Sequence, residues 1–197
     1  MRIIGLTGGT GTGKTTAMNV LKRLGVLCID ADQVYHDLLR TCRPMIEEIE
    51  ETFPGVVKDG VLDRKALGEI VFNDRSKLSA LNLVTHKYIG DEIREMIGKA
   101  EEDGVKIVAI DAVEIIESGL SSMCEKIIAV TAPIKERIVR IMGREGISMG
   151  YAAMRIAAQK PDTYYAERCD IVLHNDFPSA EAFENHCTDI FKTMLGV

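Results

Sequence analysis

The chain has 197 residues, of which 46% are hydrophobic and 5% aromatic, and it carries a formal charge of −6. That length and apolar content suffice for one sizeable core, so a single domain over 1–197 is expected. The acidic balance argues against a nucleic-acid or anionic-membrane surface, because both need a clustered basic footprint; any anionic ligand must be held by local positive groups.

The five cysteines (Cys28, Cys42, Cys124, Cys169 and Cys187) are odd in number and far apart. They lack the close pairs that zinc and redox sites use, so they read as reduced, buried thiols. No long apolar targeting stretch or membrane-length run is present, and a cytoplasmic protein is expected.

Along the chain, the first apolar run is Ile3-Ile4-Gly5-Leu6, short enough for a buried parallel strand. It leads into "GLTGGTGTGKTT", residues 5–16, which holds five glycines and five threonines around one lysine. Residues 15–24 follow with Met18, Leu21 and Leu24 on one stripe and a stop at Gly25, a helix with a glycine C-cap. Within this strand–loop–helix context Gly8 to Thr15 satisfies G-x-x-x-x-G-K-[ST], and the context makes the pattern a site. Glycines let successive backbone N–H groups face one concavity, and the helix N-terminus adds partial positive charge, so the loop suits a polyphosphate. Lys14 can then reach the β- and γ-phosphates, and the Thr15 hydroxyl can ligate Mg²⁺. The competing reading is a glycine-rich turn without a ligand.

A second strand, Val26-Leu27-Cys28-Ile29, ends in "CIDAD" and is expected to bring Asp30 and Asp32 to the loop's edge of the sheet. Two readings stand for these carboxylates: capping of a helix that begins at Ala31, or proton acceptance from an attacking hydroxyl. From about 42 to 103 the alternation of strands and helices breaks. This stretch holds the acidic residues Glu47, Glu48, Glu50 and Glu51, read as a solvated helix face. After them come the turn-rich "FPGVVKDGVLD" and a long helical pattern from Ser76 to Lys99, closed by Asp103-Gly104. It reads as a helical, acceptor-binding insertion.

The third strand, Ile107 to Ile110, ends at Asp111, a strand-terminal carboxylate of the kind that helps hold Mg²⁺ near a phosphate loop. A fourth spans Ile127 to Val130, and Pro133 starts a helix carrying Arg137, Arg140 and Arg144 on one stripe. Arg155 follows after glycines at 143, 146 and 150. The stripe is either a solvated face, with Glu136 pairing Arg140, or part of a lid over about 143–163 that clamps phosphates. On the helix Arg144 has only Arg140 and Ser148 as i−4 and i+4 neighbours, so it reads as lacking a partner. A fifth strand, Ile171 to Leu173, and a helix over 178–195 complete the chain. Such alternation gives a doubly wound α/β fold with a parallel five-stranded sheet, whose ligands lie at the carboxyl ends of the strands. Its core is expected at about 1–41 and 104–197.

Taken together these segments resemble the dephospho-coenzyme A kinases. The likeness rests on "GLTGGTGTGKTT", "IDAD" followed by His36, "DGVLDRKALGEIVFND" at 59–74, His86, "VTAPIKERIVRIMGREG" at 130–146, "RIAAQKP" at 155–161 and "CDIVLHN" at 169–175. The resemblance implies a P-loop nucleotide-kinase-like fold with a small helical lid, and transfer of the ATP γ-phosphoryl to the ribose 3′-hydroxyl of dephospho-CoA. It gives Asp32 the role of base or orienter, and Lys14 with Arg140 that of stabilising the transferring group. Gly11, Thr12, Gly13, Lys14, Thr15 and Thr16 would bind ATP with Arg144, Asn175 would lie near the adenine, and Arg64 and His86 on the acceptor side. Mg²⁺ would sit with Thr15 and Asp111, in a monomer or weak homo-oligomer. The chain departs from the family at His86-Lys87, where His-Pro is usual. It departs again after Asp111, where Ala112-Val113-Glu114-Ile115-Ile116-Glu117 replaces a Pro-Leu-Leu segment ending in Glu. The rival readings are another kinase of this build, acting on shikimate, gluconate or a nucleoside monophosphate, and a non-catalytic sensor of nucleotide or CoA precursor.

Overall fold

The computed structural model describes residues 1–72 and 74–196; Asn73, within the 59–74 segment, and Val197 lie outside the described residues. In chain order come β1 (Arg2–Thr7), α1 (Lys14–Arg23), β2 (Leu27–Asp30), α2 (Ala31–Thr41), α3 (Arg43–Thr52), β3 (Val57–Lys58) and β4 (Val61–Leu62). Next are α4 (Arg64–Val71), α5 (Arg75–Glu102), β5 (Ile107–Asp111), a 3₁₀ turn (Leu120–Met123) and β6 (Lys126–Thr131). The chain ends with α6 (Ile134–Glu145), α7 (Met149–Ala157), α8 (Asp162–Arg168), β7 (Ile171–His174) and α9 (Ala180–Leu195). Two compact units result, residues 1–29 with 104–197, and residues 30–103.

In the first unit the five apolar runs form one sheet in the order β2-β5-β1-β6-β7, with β1 parallel to β5 and β6, and β6 parallel to β7. The three central strands are covered on both faces, which is why their runs are continuously apolar and do not alternate. Ile4, Leu6, Val108, Ala109, Ile110, Ile128, Ala129 and Val130 are all buried, whereas Leu27 and Val172, on the two edge strands, are exposed. On one face α1 and α9 pack together, with Met18, Leu21, Phe183 and Phe191 joining Ile4, Leu6 and Leu173 in one cluster. Each such large side chain removed from water contributes about 1.5–3 kcal/mol. From β1 the chain crosses to the edge strand β2, returns to β5, and then passes over β1 to β6 and β7, so the connection leaving β1 runs opposite to those leaving its neighbours β5 and β6, the kind of place where doubly wound sheets bind ligands.

The second unit is helical, with α5 packed against α2, α3 and α4. Three aspartates start its helices: Asp30 caps α2, Asp63 caps α4 and Asp74 caps α5. Helix α2, grouped with the core in the sequence reading, belongs to this unit because its apolar stripe, Val34 and Leu38, is buried where α2 meets α5 and α3. The turn-rich segment is a small antiparallel hairpin whose two-residue loop, Asp59-Gly60, has φ of 51° and 77°, the conformation that matches strand twist.

The acidic run is only half a solvated face. Glu47 and Glu51 are exposed, but Glu48 accepts from Tyr88 Oη at 2.6 Å and from Lys87 Nζ at 3.2 Å. Glu50 accepts the main-chain amides of Gly55 and Val57, each at 2.7 Å, and these hold its carboxyl below the ordinary range. With the folded-state value depressed, this interaction stabilises above the unfolded carboxylate pKa of about 4.3 and is lost as pH falls through the folded value. Glu50→Gln should therefore lessen the drop in thermal midpoint between about pH 6 and pH 3. An unchanged acid slope in a pH series of melting curves would remove Glu50 from this role.

No helix among the described residues is long and apolar enough to cross a membrane. All five cysteines are free, and burial pushes the Cys28 thiol up to about 11 and that of Cys187 up to about 12. Both are thus neutral thiols at neutral pH, without the thiolate that reacts.

Candidate functional site

Within the first unit the loop between β1 and α1 lies at the carboxyl end of the sheet. Helix α1 begins on Gly13, whose φ of 105° is left-handed, and no side chain caps it. Helices α3, α6 and α8 also lack a side-chain cap, whereas α2, α4, α5, α7 and α9 each have a capping Asp or Ser. An uncapped first turn leaves amides directed out of the helix end, and such amides favour an anion. The lysine side chain of this turn folds toward the sheet, where Lys14 Nζ pairs with Asp111 Oδ1. Asp111 is brought there by strand register, since it pairs with Leu6 of β1, and both side chains are mostly withdrawn from solvent. Thr15, the other expected Mg²⁺ ligand, is exposed one residue into α1.

The loop's outer side is held by side chains from β6–α6 and from the end of β7. Arg140 Nη1 donates to the carbonyls of Gly11 and Thr12 at 3.2 and 3.3 Å, and Asn175 Nδ2 donates to Thr12 O at 2.8 Å. Arg140 Nη2 lies 3.5 Å from Asn175 Oδ1. Arg137, only 4% exposed, donates from Nε to Thr10 O at 2.9 Å and from Nη2 to Gln159 Oε1 at 2.7 Å. The arginine stripe is accordingly divided. Its first two members face the loop, while Arg144 turns to its neighbour Glu145 at 2.5 Å, and Arg155 pairs with the same carboxylate. Arg144 thus has the partner that the i±4 reading missed, because at a helix C-terminus an adjacent side chain can fold back. The two guanidiniums hold Glu145 below the ordinary carboxylate range.

A phosphate-wrapping loop, a lysine–aspartate pair at the strand ends and arginines from the helix after β6 form the frame of a phosphoryl-transfer site. The chain matches the family described as dephospho-CoA kinase over residues 2–181. It belongs to the dephospho-CoA kinase family. It is 37% identical over 175 residues to the dephospho-CoA kinase of Carboxydothermus hydrogenoformans, covering 88% of this chain and 85% of that one. Among solved structures it is similar to TT1252 from Thermus thermophilus, with a TM-score of 0.79, 31% identity, and coverage of 98% and 97% of the two chains. It is also similar to dephospho-CoA kinase from Campylobacter jejuni, with a TM-score of 0.62, 25% identity, and coverage of 98% and 96%.

The residues expected on the acceptor side, Asp32, Arg64 and His86, lie in the second unit. Asp30 Oδ1 accepts from Asp32 N at 2.9 Å and Gln33 N at 3.1 Å, so Asp30 is a helix cap and the Asp32 carboxylate is not engaged in capping. One helical turn on, on the face of Asp32, His36 Nδ1 lies 3.4 Å from Arg64 Nη2, which brings Arg64 to α2. His86 is half-buried on α5, the helix that packs against α2 and α4.

The two departures from the dephospho-CoA kinase pattern have structural roles here. Lys87, in place of proline, lies inside α5 and pairs with Glu48, so the usual proline would remove a helix donor and this ion pair. In the second, Val113 O accepts from Thr7 Oγ1 at 2.9 Å, and Glu117 accepts from Tyr164 Oη at 2.8 Å and pairs with Lys160 at 3.4 Å. The sequence alone does not assign Arg137 and Gln159 to the backbone of the phosphate loop, where the structure places them. Their signals were the position of Arg137 three residues before Arg140 and the "RIAAQ" segment.

Proposed function

We propose that this protein catalyses transfer of the γ-phosphoryl group of ATP to the ribose 3′-hydroxyl of dephospho-CoA, giving coenzyme A. The observation that carries the reading is the family match along nearly the whole chain, joined to a loop whose glycines, lysine and helix end are arranged for a triphosphate. The loop amides from Gly11 to Thr16 would hold the triphosphate, and Lys14 Nζ would move from Asp111 to the phosphates, neutralising charge as the terminal group leaves. The hydroxyl of Thr15 and the carboxylate of Asp111 are hard oxygen donors that would suit Mg²⁺, which when bound would supply Lewis-acid charge to the phosphates. Asp32 would take the proton of the attacking hydroxyl on a carboxylate oxygen. Arg64 and His86 would bind the acceptor, and Arg144, once released from Glu145, the nucleotide phosphates. Asn175 would contribute near the adenine.

Mass spectrometry of the products from ATP, Mg²⁺ and dephospho-CoA tests this reading. Coenzyme A and ADP should appear in equal amounts, and withholding Mg²⁺ should silence the reaction. Phosphorylation of shikimate, gluconate or a nucleoside monophosphate in its place would reassign the acceptor, and ATP binding without turnover would identify a sensor.

A further inference from the structure

Three successive carbonyls of the phosphate loop, at Thr10, Gly11 and Thr12, each accept a side-chain donor from outside the loop. A loop that wraps an anion must turn consecutive N–H groups to one side, and its carbonyls then face the other. Left to water, these carbonyls would not select one loop shape. Here Thr10 is held at both ends of its main chain: its carbonyl accepts from Arg137 Nε at 2.9 Å, and its amide donates to Gln159 Oε1 at 3.0 Å. Arg137 Nη2 closes the circuit by donating to the same Gln159 oxygen at 2.7 Å. Arg137 and Asn175 are 4% and 5% exposed while Gln159 is half-buried, so water competes only partly for these bonds, and a charged donor makes the stronger kind.

The glycines of the loop fit this arrangement. A Cβ on Gly9 would lie 2.5 Å from Arg137 Nη2 and 2.7 Å from Gln159 Oε1, and one on Gly13 would lie 2.4 Å from Asn175 Nδ2. A side chain at 9 would therefore have to displace the ends of Arg137 and Gln159 from the positions that brace the loop, independently of any phosphate.

We propose that Gln159 and Arg137, with Asn175, are positioning residues that set the shape of the phosphate loop from behind, and that Gln159 does so by gripping the Thr10 amide. This deepens the kinase reading and rests on the loop being its ATP site. Gln159→Leu keeps the bulk and removes the acceptor. It should weaken ATP binding about tenfold in calorimetry without acceptor, and raise the KM for ATP likewise while the KM for dephospho-CoA stays within about twofold. Gln159→Glu restores an acceptor for both donors and should bring ATP affinity back to within about threefold of wild type. Gly9→Ala should also weaken ATP binding, and in a Gln159→Ala background its added effect should shrink, since the two changes strike one contact. The proposal is overturned if folded Gln159→Leu binds ATP as wild type does, if both substrates lose affinity equally, or if the Gly9→Ala and Gln159→Ala effects multiply. Should Gln159→Leu not fold, the Gly9→Ala and Gln159→Ala pair decides alone. Because ATP binding is read without acceptor, a wild-type protein that binds ATP yet leaves dephospho-CoA unphosphorylated would defeat the acceptor reading and leave this test intact.

Discussion

Lys14→Ala is expected to lower kcat by about 10²–10³-fold at saturating ATP, the scale of removing one preorganised donor from a developing negative charge. The reason is positional. Lys14 is the first residue of α1, beyond a left-handed Gly13, and its side chain runs to the strand end where Asp111 sits beside Leu6. With the Lys14 and Asp111 side chains only 17% and 13% exposed, the ammonium acts where solvent screens it poorly. A group that merely bound ATP would be compensated by more ATP; one that meets charge arising in the transition state would not. Steady-state kinetics with ATP raised well above KM makes the distinction, and full activity of Lys14→Ala under those conditions would refute the phosphate contact. Melting curves must accompany the kinetics, because the same substitution takes a cation from Asp111 and lowers stability by an independent route.

The parts of the molecule that were legible in the sequence are those whose cause is local. Central strands such as Val108-Ala109-Ile110 are apolar on both faces because helices cover both, and the run itself says so. The loop is legible because few residues other than glycine fit its backbone, and its lysine and threonine fall at fixed offsets. What escaped depends on distant partners. The glutamate run reads as a helix face, but Glu48 and Glu50 look solvated until Tyr88 and the amides of Gly55 and Val57 are placed beside them. The hairpin strands β3 and β4 have two residues each, too few for alternation to show. Helix α2 was assigned to the core because its apolar stripe does not state which surface covers it. Arg137 is the hardest to read: the stripe it shares with Arg140 and Arg144 reads as a solvated face or a phosphate-clamping lid, and only the fold brings it under the Thr10 carbonyl.

Asp32→Asn should cut kcat by about 10²-fold or more while leaving ATP affinity within about twofold, which is the scale of losing an acid–base group. The substitution is nearly isosteric, and the local frame supports a clean result. The start of α2 is capped by Asp30, whose Oδ1 takes the amides of Asp32 and Gln33, so an amide at 32 leaves the cap in place. Asp30→Ala is the contrasting variant: it should cost about 1 kcal/mol of stability as a lost cap. In the proposed mechanism the proton acceptor and the helix cap are carboxylates two residues apart, so the two variants separate chemistry from stability. If Asp32→Asn turns over at the wild-type rate, the 3′-hydroxyl loses its proton to another group, and Asp32 has no part in the transfer.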